Sequence, residues 1–131
     1  MRAVAAYRRT DLASASNEDL LLRLLEKSLQ HMHNADAAME EGRRSDWLHS
    51  LHWARAIILE LANAFDPSVD PAVARPILVT YRWILHHLVE AGRSGDRARL
   101  AQVREATETL LESWTEAVQI ARDSGARAVA S

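Results

Sequence analysis

The chain has 131 residues, 48% of them hydrophobic, and a formal net charge of −2 with basic and acidic residues interspersed. This suffices for one domain with a substantial core, and no basic footprint for nucleic acid is visible. Cysteine is absent, which excludes thiolate chemistry, disulfides and cysteine-type zinc sites and suits a reducing compartment.

The opening segment, residues 1–15, carries Val4, Tyr7 and Leu12 among Ala, Arg and Ser. It lacks the apolar run of a signal peptide, and no later stretch is apolar enough to span a bilayer, so a cytoplasmic protein without membrane insertion is expected. Val4 and Tyr7 lie one helical turn apart. They read either as part of a frayed terminus or as a lid pressed onto the next element.

A first long helix is predicted from about Asn17 to Glu41. Ser16 stands as its cap with Asp19 three residues later, and Gly42 ends it. Leu21, Leu25, Ser28, Met32, Ala35 and Met39 line one face at three- and four-residue steps. Leu20, Leu22 and Leu24 lie off that stripe, so the first two turns are apolar almost all round. A helix of that kind needs cover on more than one side.

Ser45 or Asp46 is the expected cap of the next helix, whose stripe is Trp47, Leu51, Ala54, Ile58, Leu61 and Phe65, flanked by Trp53 and Ile57. It ends at Asp66-Pro67. Residues 66–76 hold three prolines. Asp70-Pro71 reads as a cap followed by proline at the first helical position. Pro76 removes a hydrogen bond and clashes one turn back, which predicts a separate or kinked first turn and a regular helix from about Pro76 to Ala91. Its stripe is Ile77, Tyr81, Ile84, Leu88 and Ala91, with Leu78 and Leu85 alongside, and Gly92 reads as its stop.

Asp96 caps a last helix to about Asp123, with Leu100, Val103, Thr107, Leu110, Trp114, Ala117 and Ala121 on its face and Gly125 as its end. Four such helices with short connections predict an all-α protein, an antiparallel up-and-down four-helix bundle with a short N-terminal capping segment. It forms a single domain over 1–131: cap segment 1–15, bundle 17–123 and flexible tail 124–131.

Chemistry-bearing constellations are sparse. A diiron bundle needs Glu-x-x-His on two helices, and Asp46-Trp47-Leu48-His49 is one imperfect copy. His49 and His52 lie one turn apart but lack an acidic or third ligand, so no metal site and no cofactor is expected. His52-Trp53-Ala54-Arg55-Ala56 is loosely similar to a histidine phosphotransfer motif, in which Arg55 would neutralise phosphoryl oxygens. The bulky Trp53 and a missing glycine depart from that pattern. No enzyme is predicted.

Several segments together resemble the flagellar secretion chaperone FliS family, the flagellin-specific export chaperones. Ala6-Tyr7 is similar to its short Ala-Tyr motif, and Ala15-Ser16-Asn17-Glu18-Asp19-Leu20 to its Ala-Ser-Pro-Glu-Glu-Leu helix start. Leu61-Ala62-Asn63-Ala64-Phe65-Asp66 resembles Leu-Asn-x-x-Leu-Asp. The run Tyr81 to Leu88 is similar to Tyr-x-Tyr-Met-x-x-Arg-Leu, and Glu112 to Ala117 to Glu-x-Trp-x-x-Ala. Prolines replace the family's Gly-Gly pair before the third long helix, and Asn17 replaces a proline.

The resemblance implies a non-enzymatic chaperone. It would bind the C-terminal segment of flagellin, keep it from polymerising early and pass it to a component of the flagellar type III export gate. It also implies a client groove, for which the candidates are Leu20, Leu22, Leu24, Trp53, Ile57, Leu78, Trp83 and Leu85, with Val4 and Tyr7 as lid residues. Tyr81 and Trp114 are assigned to the core. A monomer or weak dimer is expected. The alternatives are the phosphotransfer domain and a generic helical interaction module.

Overall fold

The computed structural model describes residues 15–66, 68 and 71–130, and the side chains of 18–125 within them. Four helices follow in order: α1 (Ala15–Glu40), α2 (Arg44–Ala64), α3 (Pro71–Ser94) and α4 (Arg97–Ala130). No strand occurs among the described residues. Each helix packs on the next and α4 closes against α1, giving the up-and-down ring that the periodicity predicts.

The predicted stripes form the core. Leu21, Leu25 and Met32 of α1, Ile58 and Leu61 of α2, Tyr81, Ile84 and Leu88 of α3, and Leu100 and Val103 of α4 are all fully buried. Tyr81 and Trp114 lie in the core as expected. The most extensive contact joins α1 to α2, where the buried small residues Ala35, Ala38 and Ala54 let the backbones approach. Ser28, also buried, donates its hydroxyl to the Ala54 carbonyl at 3.2 Å, which satisfies the polar group and sets the α1–α2 register.

Two glycines end helices through left-handed caps. Gly42 has φ 71°, and Arg43 N–H donates to Ala38 O at 2.9 Å. Gly95 has φ 68°, and Asp96 N–H donates to Ala91 O at 3.0 Å. Both are the six-to-one bond of a Schellman turn. Asp96 then caps α4, its carboxylate accepting from Arg99 N–H at 3.0 Å.

Several predicted boundaries move. α1 already includes Ala15 and Ser16, so Ser16 does not precede the helix, and Asp19 pairs with Arg122 of α4 at 2.6 Å. α2 starts at Arg44, before Ser45 and Asp46. Its N-cap, Arg43, makes no side-chain cap bond, and Asp46 instead holds the Arg43 guanidinium. α3 is one helix from Pro71, with Pro76 inside it. The carbonyl that Pro76 deprives of a partner belongs to Ala72, and both residues are exposed, so that carbonyl is not shut away from solvent.

Gly92 is helical and buried rather than a stop, because Gly95 ends α3. Gly125 has no positive φ, and α4 runs on through the region expected as a tail to Ala130. Near that end Val118 is buried and Ala117 only half-buried. A 3.6-residue helix drifts away from a strict seven-residue stripe in this way.

Candidate functional site

Of the eight apolar residues singled out as a groove, none is fully buried. Leu20, Trp53 and Trp83 are exposed, with 42%, 47% and 37% of their surface accessible. Leu22, Leu24, Ile57, Leu78 and Leu85 are half-buried and pack at the margin of the core. Val4 and Tyr7 lie outside the described residues.

The eight do not share one groove. The Ser28–Ala54 bond places Leu24, one turn earlier on α1, and Ile57, one turn later on α2, along the same seam. Leu20 and Trp53, each one turn from these, extend that patch. Leu22 turns instead toward α4, since Glu18 and Asp19, one turn before it, face Arg122. Trp83 lies on the α3–α4 side, its ring 4.3 Å from that of His87, whose Nδ1 is 2.7 Å from Arg99 Nη1. Partial desolvation, and then the charges of Arg99 and His86, hold His87 below the ordinary histidine value.

One concavity is lined by none of the eight. It is a cleft of about 280 Å³ between α2 and α3. Leu51, Leu88 and Gly92 make its floor, Leu48 and Val89 its walls, and Arg44, His52, Arg55 and Arg93 its rim. Gly92 is the reason it is open. A Cβ there would stand 3.1 Å from Leu51 Cδ1 and 3.5 Å from Leu48 Cδ2. The bare backbone also lets the Gly92 carbonyl accept a 3.0 Å hydrogen bond from the buried Trp47 indole, tying the start of α2 to the end of α3.

A second concavity, of about 250 Å³, follows along α3 and is lined by Leu78 and Val79 with Arg75 and Arg82. Between α3 and α4, Pro76, Ile77 and Leu110 line a third of about 210 Å³. The exposed Leu48, Leu59, Val79, Val89 and Ile120 escaped the sequence reading. A signal for them existed. Leu48, His52, Arg55 and Leu59 recur at steps of four, three and four, a second helical stripe masked by its mixed apolar and basic content.

Charge is distributed unevenly around the ring. On the α1–α4 seam, Asp36 accepts from Arg97 at 2.9 and 3.2 Å and lies 3.7 Å from Arg104. Hydrogen bonds from Arg97 to Asp36, and from Arg122 to Asp19, hold both carboxyls below the usual range. Around the α2–α3 cleft the arginines are less engaged. Arg93 pairs with Glu90, but Arg44, Arg55, Arg75 and Arg82 have no carboxylate partner among the described residues. Arg44 lies over the Trp47 ring, 5.9 Å from its centroid.

His49 and His52 both present their rings edgewise to Trp53, at 6.3 and 5.4 Å between centroids. The surface as a whole is suited to binding: apolar residues outside the core, a cleft with a basic rim, and grooves between helices into which side chains of a partner helix would fit. No described helix is long and apolar enough to cross a membrane.

No curated protein matches the chain. A family model described as flagellar protein FliS matches residues 1–121. This match covers all but the last ten residues, and the chain belongs to the flagellar protein FliS family.

Proposed function

We propose that the chain is a cytoplasmic export chaperone that binds the C-terminal segment of flagellin, delays its polymerisation and hands it to the flagellar type III export gate. The match to the FliS family over residues 1–121 carries this reading. The apolar residues that the bundle leaves outside its core support it. Leu20, Leu24, Trp53 and Ile57 offer a continuous α1–α2 surface, and Leu78, Leu85 and Trp83 continue around α3.

A client segment that is disordered when free pays an ordering cost of roughly 2–5 kcal/mol on binding. Several separated apolar sites, engaged by one wrapping segment, offset that cost better than one short groove. Val4 and Tyr7 are then a lid that exchanges with the client.

The test is a flagellin polymerisation assay. Stoichiometric chaperone is expected to lengthen the lag, and a Leu22→Ser, Leu24→Ser double variant to lose this effect more than it loses melting temperature. An unchanged lag with the wild-type protein contradicts the reading. Equal loss of activity and stability in the variant makes those leucines core.

A further inference from the structure

We propose that the α2–α3 cleft docks an acidic amphipathic helix, whose aliphatic side chains enter between Leu48 and Val89 and whose carboxylates meet the arginines on the rim. The proposal specifies partner chemistry within the export-chaperone reading and rests on it only for the partner's identity.

Three observations carry it. The first is shape. The cleft is open because Gly92 lacks a side chain, and its floor and walls are aliphatic. Leu59, four residues beyond Arg55, continues the α2 wall. From Arg44 to Leu59 this wall runs roughly 22 Å, about four turns of a partner helix.

The second is the pattern of charge. Val89, Arg82 and Arg75 are seven residues apart on α3, so basic side chains edge the apolar track along its whole length. α2 and α3 carry five arginines and three carboxylates, Asp46, Glu60 and Glu90, whereas α1 and α4 carry ten carboxylates and seven basic residues.

The third is what those arginines do. Asp46 is engaged by Arg43 and Glu90 by Arg93, so among the described residues Arg55, Arg75 and Arg82 keep their guanidinium donors for a partner, and Arg44 donates only from Nη1, to the Arg93 carbonyl at 3.5 Å. On the α1–α4 seam, by contrast, Arg97, Arg104 and Arg122 are satisfied within the chain. Guanidinium forks that face an apolar track select carboxylates on the flanks of a bound helix. A helix with lysine flanks would meet like charge.

The experiment uses the full chain and two synthetic amphipathic peptides of about 18 residues, with one shared leucine stripe and either Glu or Lys flanks. Calorimetry at low salt is expected to give at least about tenfold tighter binding for the Glu peptide. That advantage should shrink as salt rises toward about 300 mM. An Arg44→Glu, Arg55→Glu double variant should lose or reverse the preference, and Leu48→Ser with Val89→Ser should lose both peptides. All four positions are exposed, and circular dichroism checks that the variants remain folded. An Arg44→Gln, Arg55→Gln variant replaces the first should it not fold.

Equal affinities, a preference untouched by the arginine variants, or a dimer of the wild-type chain that the Leu48→Ser, Val89→Ser variant dissolves would each overturn the assignment. Flagellin's C-terminal segment is titrated in parallel. If it binds while the peptides are not discriminated, the cleft assignment alone fails. If the peptides are discriminated and flagellin does not bind, the flagellin reading alone fails.

Discussion

Gly42 and Gly95 share a backbone conformation but differ in their surroundings. A Cβ on Gly42 would meet nothing within 4 Å, whereas one on Gly95 would stand 3.1 Å from the Trp47 ring. Gly42→Ala should therefore cost only left-handed strain, about 1–2 kcal/mol. Gly95→Ala should cost more, because Trp47 is pinned by its indole bond to Gly92 O. Urea denaturation of the two variants checks this, and equal losses would show that Trp47 moves freely. Protonation sets a second residue-scale expectation. The folded state lowers the pKa of Asp19 and Asp36 through their arginine bonds, so the stability they contribute is full above the ordinary aspartate value of 3.8 and disappears as pH falls through their lower folded values. His31 and His87 are also lowered, each chiefly by desolvation. The unfolded chain then binds their protons first, and stability falls as pH drops through the ordinary histidine value of 6.5. Melting temperature followed from pH 8 to pH 3 should decline in two stages. The acid stage should be smaller in an Asp36→Asn variant that already melts lower at pH 7.

At the scale of elements, α3 is the most informative because its sequence argues against its own continuity. Pro76 is the sixth residue of the helix and leaves the Ala72 carbonyl to solvent. The remaining turns are held by Ala74, Tyr81, Ile84 and Leu88, all buried, and tertiary packing of that kind overrides a local penalty of about 3 kcal/mol. Pro76→Ala should accordingly raise stability, by about 1–3 kcal/mol, since it restores a backbone bond without touching the core. A fall in melting temperature would mean that the proline ring packs. The four core stripes were legible because burial imposes the 3.6-residue period directly on residue type. Helix ends were less so. Gly92 and Gly125 look like stops in sequence, but the first is selected by the close approach of Leu51 and the second meets no neighbour that would end the helix. The cleft was missed for a related reason: its walls mix leucine and valine with arginine, and a search for apolar faces discards a stripe interrupted by charge.

The whole molecule separates two populations of apolar residues. Leu25 and Ile58 are completely enclosed, and truncating either to Ala should cost about 2–5 kcal/mol. Leu20 and Trp53 sit on the α1–α2 surface and add little to the fold, so substituting them should leave unfolding nearly unchanged while weakening the client. The same ring also carries a satisfied, ion-paired seam at α1–α4 and an arginine-bordered cleft at α2–α3. The most direct measurement is a calorimetric titration of the cognate flagellin's C-terminal segment into the full chain at several temperatures. A 1:1 complex is expected, with the negative heat-capacity change of apolar burial, weakened by Leu20→Ser and Trp53→Ser at unchanged melting temperature. No binding, or binding that these substitutions leave intact, would contradict this expectation.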